Sequence, residues 1–230
     1  MKIPLTLVAI IALVLAAGYW FAPPPDPALL KPRTDLPWQV NAKSDGSSQV
    51  FDIHLGRDTL QQAIDKFGPV EDYAVFVHEE QSADLEAYFG QVMFGPLKAK
   101  IVVQLEASDA EKATLVANAG QREASPSGDW KYRLATPDRS LQNQRLITAI
   151  TYQPGTRGLD QAFFLERFGQ PEAVLQENEH AVSWFYPQLG LSILIDSKGR
   201  EVLEYLAPRD FVMPPGVSAF QDPSLSSPSD

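Results

Sequence analysis

The feature that most constrains this chain is a helical pattern written twice. Leu60, Ala63, Ile64 and Phe67 recur at i, i+3, i+4 and i+7, one face of a short amphipathic helix, and Gly68-Pro69 stops it. Shifted by 101 residues, Gln161, Phe164, Leu165 and Phe168 hold the same places, followed by Gly169-Gln170-Pro171. Asp65-Lys66-Phe67-Gly68 aligns with Glu166-Arg167-Phe168-Gly169, so charge sign is kept along with the apolar face; Gln161 is the one polar residue on the repeated face. Such self-similarity points to two copies of one small unit.

Around each helix the period changes to two. Val50 to Leu55 precedes the first helix and Ile147 to Tyr152 the second. Tyr73 to His78, Leu85 to Phe89 and Ala99 to Glu106 follow the first; Glu172 to Gln176, Val182 to Tyr186, Leu191 to Ile195 and Glu201 to Leu206 follow the second. Alternation rich in β-branched and aromatic residues indicates half-buried antiparallel strands. Asp196-Ser197-Lys198-Gly199 and Phe94-Gly95-Pro96 read as hairpin turns, and Ser125 to Gly128 as a loop. Asp109 to Gln121 reads as a further helix with Ala113, Val116, Ala117 and Gly120 along one side. The expected fold class is α+β: two tandem helix-on-antiparallel-sheet units after an N-terminal transmembrane helix.

That last element rests on Ile3 to Ala22, twenty residues without a charge. At about 1.5 Å per residue they span roughly 30 Å, the hydrocarbon thickness of a bilayer. Lys2 precedes the run and Tyr19-Trp20-Phe21 closes it, which favours an N-terminus inside and a C-terminus outside. A cleaved leader ending near Ala16-Ala17-Gly18 is the alternative, although the apolar stretch is longer than such a leader needs. Either way the rest of the chain lies beyond the inner (cytoplasmic) membrane, in the periplasm if the cell has one. The domains expected are residues 1–22 as membrane anchor or signal peptide, 23–47 as a proline-rich linker, 48–145 and 146–213 as the two units, and 214–230 as a disordered tail rich in proline and serine.

Composition narrows the function classes. With no cysteine there is no disulfide, thiolate metal site, cysteine nucleophile or lipid-modified N-terminal cysteine. A net charge of −10 argues against nucleic acid as a partner. There is no glycine-rich nucleotide loop and no Gly-x-Ser-x-Gly elbow.

The second half carries a resemblance. Gly155-Thr156, Phe168-Gly169-Gln170-Pro171, Trp184-Phe185-Tyr186 and Asp196-Ser197-Lys198-Gly199 resemble the SmpA/OmlA (BamE) family of envelope proteins, over about residues 150–207. The first half resembles it less, through Gly56 to Thr59, Phe67-Gly68-Pro69 and Tyr88-Phe89, and lacks the Asp-x-x-Gly turn. Two copies in tandem also resemble the β-lactamase-inhibitory-protein arrangement. The resemblance implies a non-catalytic envelope protein that binds other proteins.

Candidate chemistry is sparse. His54 alternates with Phe51 and Ile53 and reads as a side chain on a sheet face. His78-Glu79-Glu80 and Glu177-Asn178-Glu179-His180 sit at nearly matching places in the two copies, as acidic turns or as part of a metal site that lacks its third and fourth ligands. Trp184, Phe185 and Tyr186 point to alternate faces, either inside a core or as an aromatic patch for a protein partner, with Trp38 and Trp130 as further candidates. The expected function is therefore a membrane-anchored, extracytoplasmic protein-binding or envelope-assembly accessory module, without catalysis, cofactor or metal, and with an envelope protein as partner. A carboxylate-dependent envelope hydrolase and a proteinaceous enzyme inhibitor stand as alternatives.

Overall fold

The repeated helices form where the pattern puts them. In the computed structural model, which describes residues 33–78, 82–125, 128–156 and 158–221, helix α1 is Leu60–Phe67 and its counterpart is Gln161–Phe168. Thr59 opens α1 through a reciprocal cap with Gln62, whose Oε1 accepts from the Thr59 amide at 2.8 Å. Asp160 opens the second helix by accepting from the Phe163 amide at 2.9 Å. Both stop at a glycine with positive φ, Gly68 at 95° and Gly169 at 75°. That conformation suits a residue without Cβ. Leu60, Ala63 and Phe164 are buried, so the repeated face is the one that meets the core.

The strands are β1 Asn41–Ala42, β2 Ser48–Val50, β3 Ile53–His54, β4 Asp72–Val77, β5 Ala83–Phe94, β6 Leu97–Leu105, β7 Gln121–Ala124, β8 Trp130–Arg133, β9 Ile147–Pro154, β10 Ala173–Gln176, β11 Ala181–Tyr186, β12 Leu191–Asp196, β13 Val202–Leu206 and β14 Ser218–Ala219. Helix α2 is Asp109–Ala117, α3 is Thr136–Arg139, and Gln161–Phe168 is α4. Within α2 the buried residue is Leu115, not the expected alanine-rich side. Ser108 caps it with Glu111.

The expected fold class needs correcting. The molecule is mostly antiparallel sheet, and the halves do not form two helix-on-sheet units. One eleven-stranded sheet runs β14-β10-β11-β12-β13-β9-β6-β5-β4-β8-β7, and one apolar core underlies it. The join is the ladder between β13 and β9, with Leu203 opposite Tyr152, Glu204 opposite Thr151, Tyr205 opposite Ile150 and Leu206 opposite Ala149. Read outward from it, the order is β9-β6-β5-β4 on one side and β13-β12-β11-β10 on the other. The Ile147 segment is thus the fourth strand of the first half, rather than the lead-in to the second helix. The segment before α1 joins a separate three-stranded sheet, β1-β2-β3. Among the described residues no helix is long and apolar enough to cross a membrane. The stretch 3–22, expected to be an anchor, lies outside the described residues.

Packing explains why the strands alternate. Leu85, Ala87, Ile101, Val103, Ile150, Tyr152, Leu203, Tyr205, Ile193 and Trp184 share the face under the helices, and nearly all are fully buried. At its centre is Phe51, fully buried, with ring centroids of Phe94, Tyr152, Tyr205 and Phe67 at 4.9 to 6.2 Å. Phe51 and Asp52 both have positive φ, 53° and 57°, and form the two-residue turn between β2 and β3. Such a backbone costs about 1–3 kcal/mol for a residue with a side chain, and the buried ring offsets it. Part of the expected linker joins in: Pro37 is buried and its carbonyl accepts from the Tyr205 hydroxyl at 2.8 Å, while Trp38 meets Phe163 edge to face at 5.8 Å. In the stretch read as a tail, Ser218–Ala219 pairs with β10.

Candidate functional site: the uncovered face of the sheet

The same alternation that buries Leu85 and Ala87 turns Asp84, Glu86 and Tyr88 to the opposite face. The ladders then carry a row across eight strands: Asp72, Tyr88, Val102, Thr151, Glu204, Ser192, Phe185 and Ala173 stand side by side. A neighbouring row holds Ala74, Glu86, Gln104, Ala149 and Leu206. The helices give their buried residues to the core on the other side. Among the described residues, the 208–214 segment is what reaches this face: Phe211 lies against Phe185 with centroids 6.5 Å apart, and Pro214 borders a hollow there.

Two hollows open on this face. One, of about 240 Å³, is lined by Ala74, Phe76, Glu86, Tyr88, Val102 and Lys131. The other, of about 560 Å³, is lined by Leu175, Ser183, Phe185, Ser192, Leu194 and Glu204 among others. The rows run from buried at Ala74, Ala149, Phe185 and Ala173, through half-buried at Tyr88, Glu86 and Val102, to exposed at Glu204, and they mix apolar side chains with carboxylates.

The carboxylates are unusual. Burial, together with the charges of Asp84 and Glu204, pushes Glu86 from its ordinary 4.5 up to about 7, against the pull of His78 and Lys131. Burial also raises Glu204, with Asp84 adding to it and the Ser192 hydroxyl, 3.4 Å away, opposing. Glu204 is open to solvent yet surrounded by protein atoms, a combination that belongs to the floor of a hollow. At the β4 end His78 is held by two carboxylates, Nδ1 to Asp129 and Nε2 to Asp84, each at 2.9 Å. Burial pulls its pKa down, but hydrogen bonds to Asp129 and Asp84 outweigh it and the net direction is up. Lys131 binds Asp72 at 2.7 Å and lies 5.8 Å from the Phe76 ring centroid.

The residues singled out from sequence fare differently. Trp184, Phe185 and Tyr186 are 2%, 6% and 5% exposed, so they present no open aromatic patch. Trp184 is covered by Phe220, and the Tyr186 hydroxyl donates to the Gly169 carbonyl at 3.0 Å. Trp130 is 43% exposed with the Arg122 guanidinium 3.6 Å from its ring centroid, and Trp38 packs on α4. Both His78 nitrogens are taken up by Asp84 and Asp129; Glu79 and Glu80 lie outside the described residues. His180 contacts Lys198, and Glu177 accepts from Ser183 at 2.6 Å. No group of three or more His, Asp or Glu among the described residues is placed to share a metal ion.

His54 has a partner that sequence did not suggest. Its Nε2 lies 2.7 Å from Ser47 Oγ, and that hydroxyl lies 2.6 Å from Asp45 Oδ1. A hydroxyl has one proton, and it goes to the carboxylate, so the imidazole must donate to Ser47. A serine activated as a nucleophile needs the reverse, with the imidazole accepting. Ser47 is also fully buried, so the trio closes a turn. Its two bonds from Ser47 hold Asp45 down at about 2.

A further hollow, of about 640 Å³, lies beside the Asp196–Gly199 hairpin, lined by His180, Lys198, Asp160 and Glu201 among others. Glu201 is 3% exposed; its Oε1 accepts from the Gly158 amide at 3.2 Å and its Oε2 has no hydrogen-bond partner among the described residues. No known protein family, curated protein or solved structure matches this chain.

The carboxylates gathered on the uncovered face are what sequence reasoning missed. Asp84, Glu86 and Tyr88 were legible as one face of one strand from their spacing alone. Glu204 joins them only through ladders formed by residues far along the chain.

Proposed function

We propose that this chain is a non-catalytic protein-binding module that works outside the cytoplasm and docks a partner on the uncovered face of its sheet. The observation that carries the reading is the pairing, on one face free of helices, of half-buried apolar side chains with carboxylates that are costly to keep ionised. Apolar groups such as Phe76, Tyr88 and Val102 supply area to bury, and the acids set the sign of the partner. A basic patch placed over Glu86, Asp84 and Glu204 would relieve their mutual repulsion and favour the ionised forms of Glu86 and Glu204. The partner is therefore an envelope protein with a cationic contact surface. The charge-free run at 3–22 supports the placement beyond the inner membrane, and the short motifs similar to the BamE family support the envelope setting.

The test is a photo-crosslinking amino acid introduced at Tyr88 or Thr151 in cells, with Ala113, exposed on α2 at the other side of the sheet, as control. A discrete adduct from the first two positions and none from the third is expected. Thr151→Arg, which adds a positive charge in mid-face opposite Glu204, should abolish the adduct at Tyr88 without lowering the melting temperature. Adducts equal at all three positions, or none at any, would refute the reading.

One observation favours a second reading. A carboxyl held near 7 beside a hollow is suited to act as a general acid, as in carboxylate-dependent hydrolases. Turnover of envelope glycans by the purified protein, lost in Glu86→Gln, would establish it in place of the first.

A further inference from the structure

The far end of the sheet carries a strand that is weakly made. β14 has two residues, both exposed, and covers half of β10: Ala219 stands opposite Ala173 and Ser218 opposite Val174. Leu175 and Gln176 continue β10 beyond the last rung, and the residues that would meet them are Val217 and Gly216, preceded by Pro214-Pro215. Gly216, at φ 82°, leaves the extended conformation a ladder needs, and the two prolines before it lack the amides to resume one, so the segment does not extend its own pairing. Past the strand, Phe220 sets its ring edge-on to Trp184 at 5.4 Å and covers it. The groove is not filled. A hollow of about 390 Å³ remains between Val174, Val182, Trp184, Gln161 and the segment itself.

We infer that the β10 edge is a strand-addition groove, occupied in cis by residues 218–220, whose ligand in trans is an extended segment of a partner protein with an aromatic residue in the place of Phe220. The bound segment shows the chemistry the groove accepts. Main-chain rungs hold any extended chain, and the wall over Trp184 selects a ring. A partner that ran on along Leu175 and Gln176 and filled the hollow would gain both contacts that the resident segment forgoes. Two rungs and one ring are the kind of contact that opens at little cost. Val174, Val182 and Trp184 lie on the core side of the sheet, so this groove is distinct from the uncovered face and stands or falls separately.

The experiment compares the full chain with a chain ending at Gly216, each titrated with a peptide of residues 217–223 and followed through the amide resonances of β10. The shortened chain should bind the peptide saturably. The full chain should bind it at least about tenfold more weakly, since its tethered segment competes at an effective concentration of order millimolar. The peptide with Phe220→Ala should lose about tenfold or more. A peptide of residues 214–223 carrying Pro214→Thr, Pro215→Val and Gly216→Thr should bind more tightly than either. If the shortened chain does not fold, Phe220→Ala in the full chain takes its place and must raise affinity for the wild-type peptide. Absence of saturable shifts in β10 overturns the inference. So does a concentration-dependent dimer of the full chain that shortening abolishes, because a second copy would then be the occupant.

Discussion

Glu86 offers the sharpest test of the uncovered face. Its carboxyl titrates near 4.5 in the unfolded chain and at about 7 in the folded one. Between those values the folded chain holds the extra proton, so stability falls as pH rises through the window and levels off above 7. At about 1.4 kcal/mol per tenfold, ionising this group in place costs up to roughly 3 kcal/mol. Glu86→Gln keeps shape and stays neutral, so it removes the slope. Urea denaturation of both proteins at pH 4.5, 6, 7 and 8 should give equal stability at the acid end. At pH 8 the variant should be more stable by about 1–3 kcal/mol, or roughly 2–12 °C in melting temperature for a domain of this size. Glu204→Gln should lower the Glu86 midpoint as well, since the Glu204 charge helps to raise it. A difference that is the same at every pH, or a Glu86 carbon resonance that titrates near 4.5, would refute the account of this face.

Two further outcomes follow from the packing and the charges. Because His78 has a raised pKa between Asp84 and Asp129, its pairing stabilises the fold below the ordinary 6.5 and is lost as pH rises through the folded value. His78→Gln should therefore cost up to about 1 kcal/mol at pH 6, given that His78 and Asp84 are each about a third exposed, and nothing at pH 9, as read by melts at the two pH values. Phe51→Ala empties the centre of the aromatic cluster and should cost about 3–5 kcal/mol in urea denaturation, far more than Phe211→Ala on the half-covered face.

What sequence could reveal here was local. The amphipathic spacing and its Gly-Pro stop located α1 and α4 because cap, face and stop agree within eight residues. Alternation located β4 to β6 and β10 to β13 for the same reason. It failed on β7, Gln121–Ala124, where polar residues leave no apolar face to mark a strand, and on β8, Trp130–Arg133, where Trp130 and Tyr132 alternate with cations over four residues only. It failed also on how the halves combine. Ile147 to Tyr152 reads the same whether it opens one half or closes the other, and only its pairing with both β6 and β13 decides. The aromatic triplet at 184–186 was ambiguous in a similar way. Alternation sends Phe185 to the opposite face from its neighbours, but that Phe211 returns over Phe185, and Phe220 over Trp184 from the stretch that looks like tail, is not written in any local pattern.

The ladder of β9 against β13 has a consequence for how such a chain behaves as a polymer. Taken singly, either half would end in a strand with a bare row of donors and acceptors, a template for any other extended chain. Joined head to head, each half hides the other's exposed border. Neither can unravel without stripping its neighbour, so the chain should melt in one cooperative step, and a nick in the connection near Gly155 should leave two pieces that stay associated.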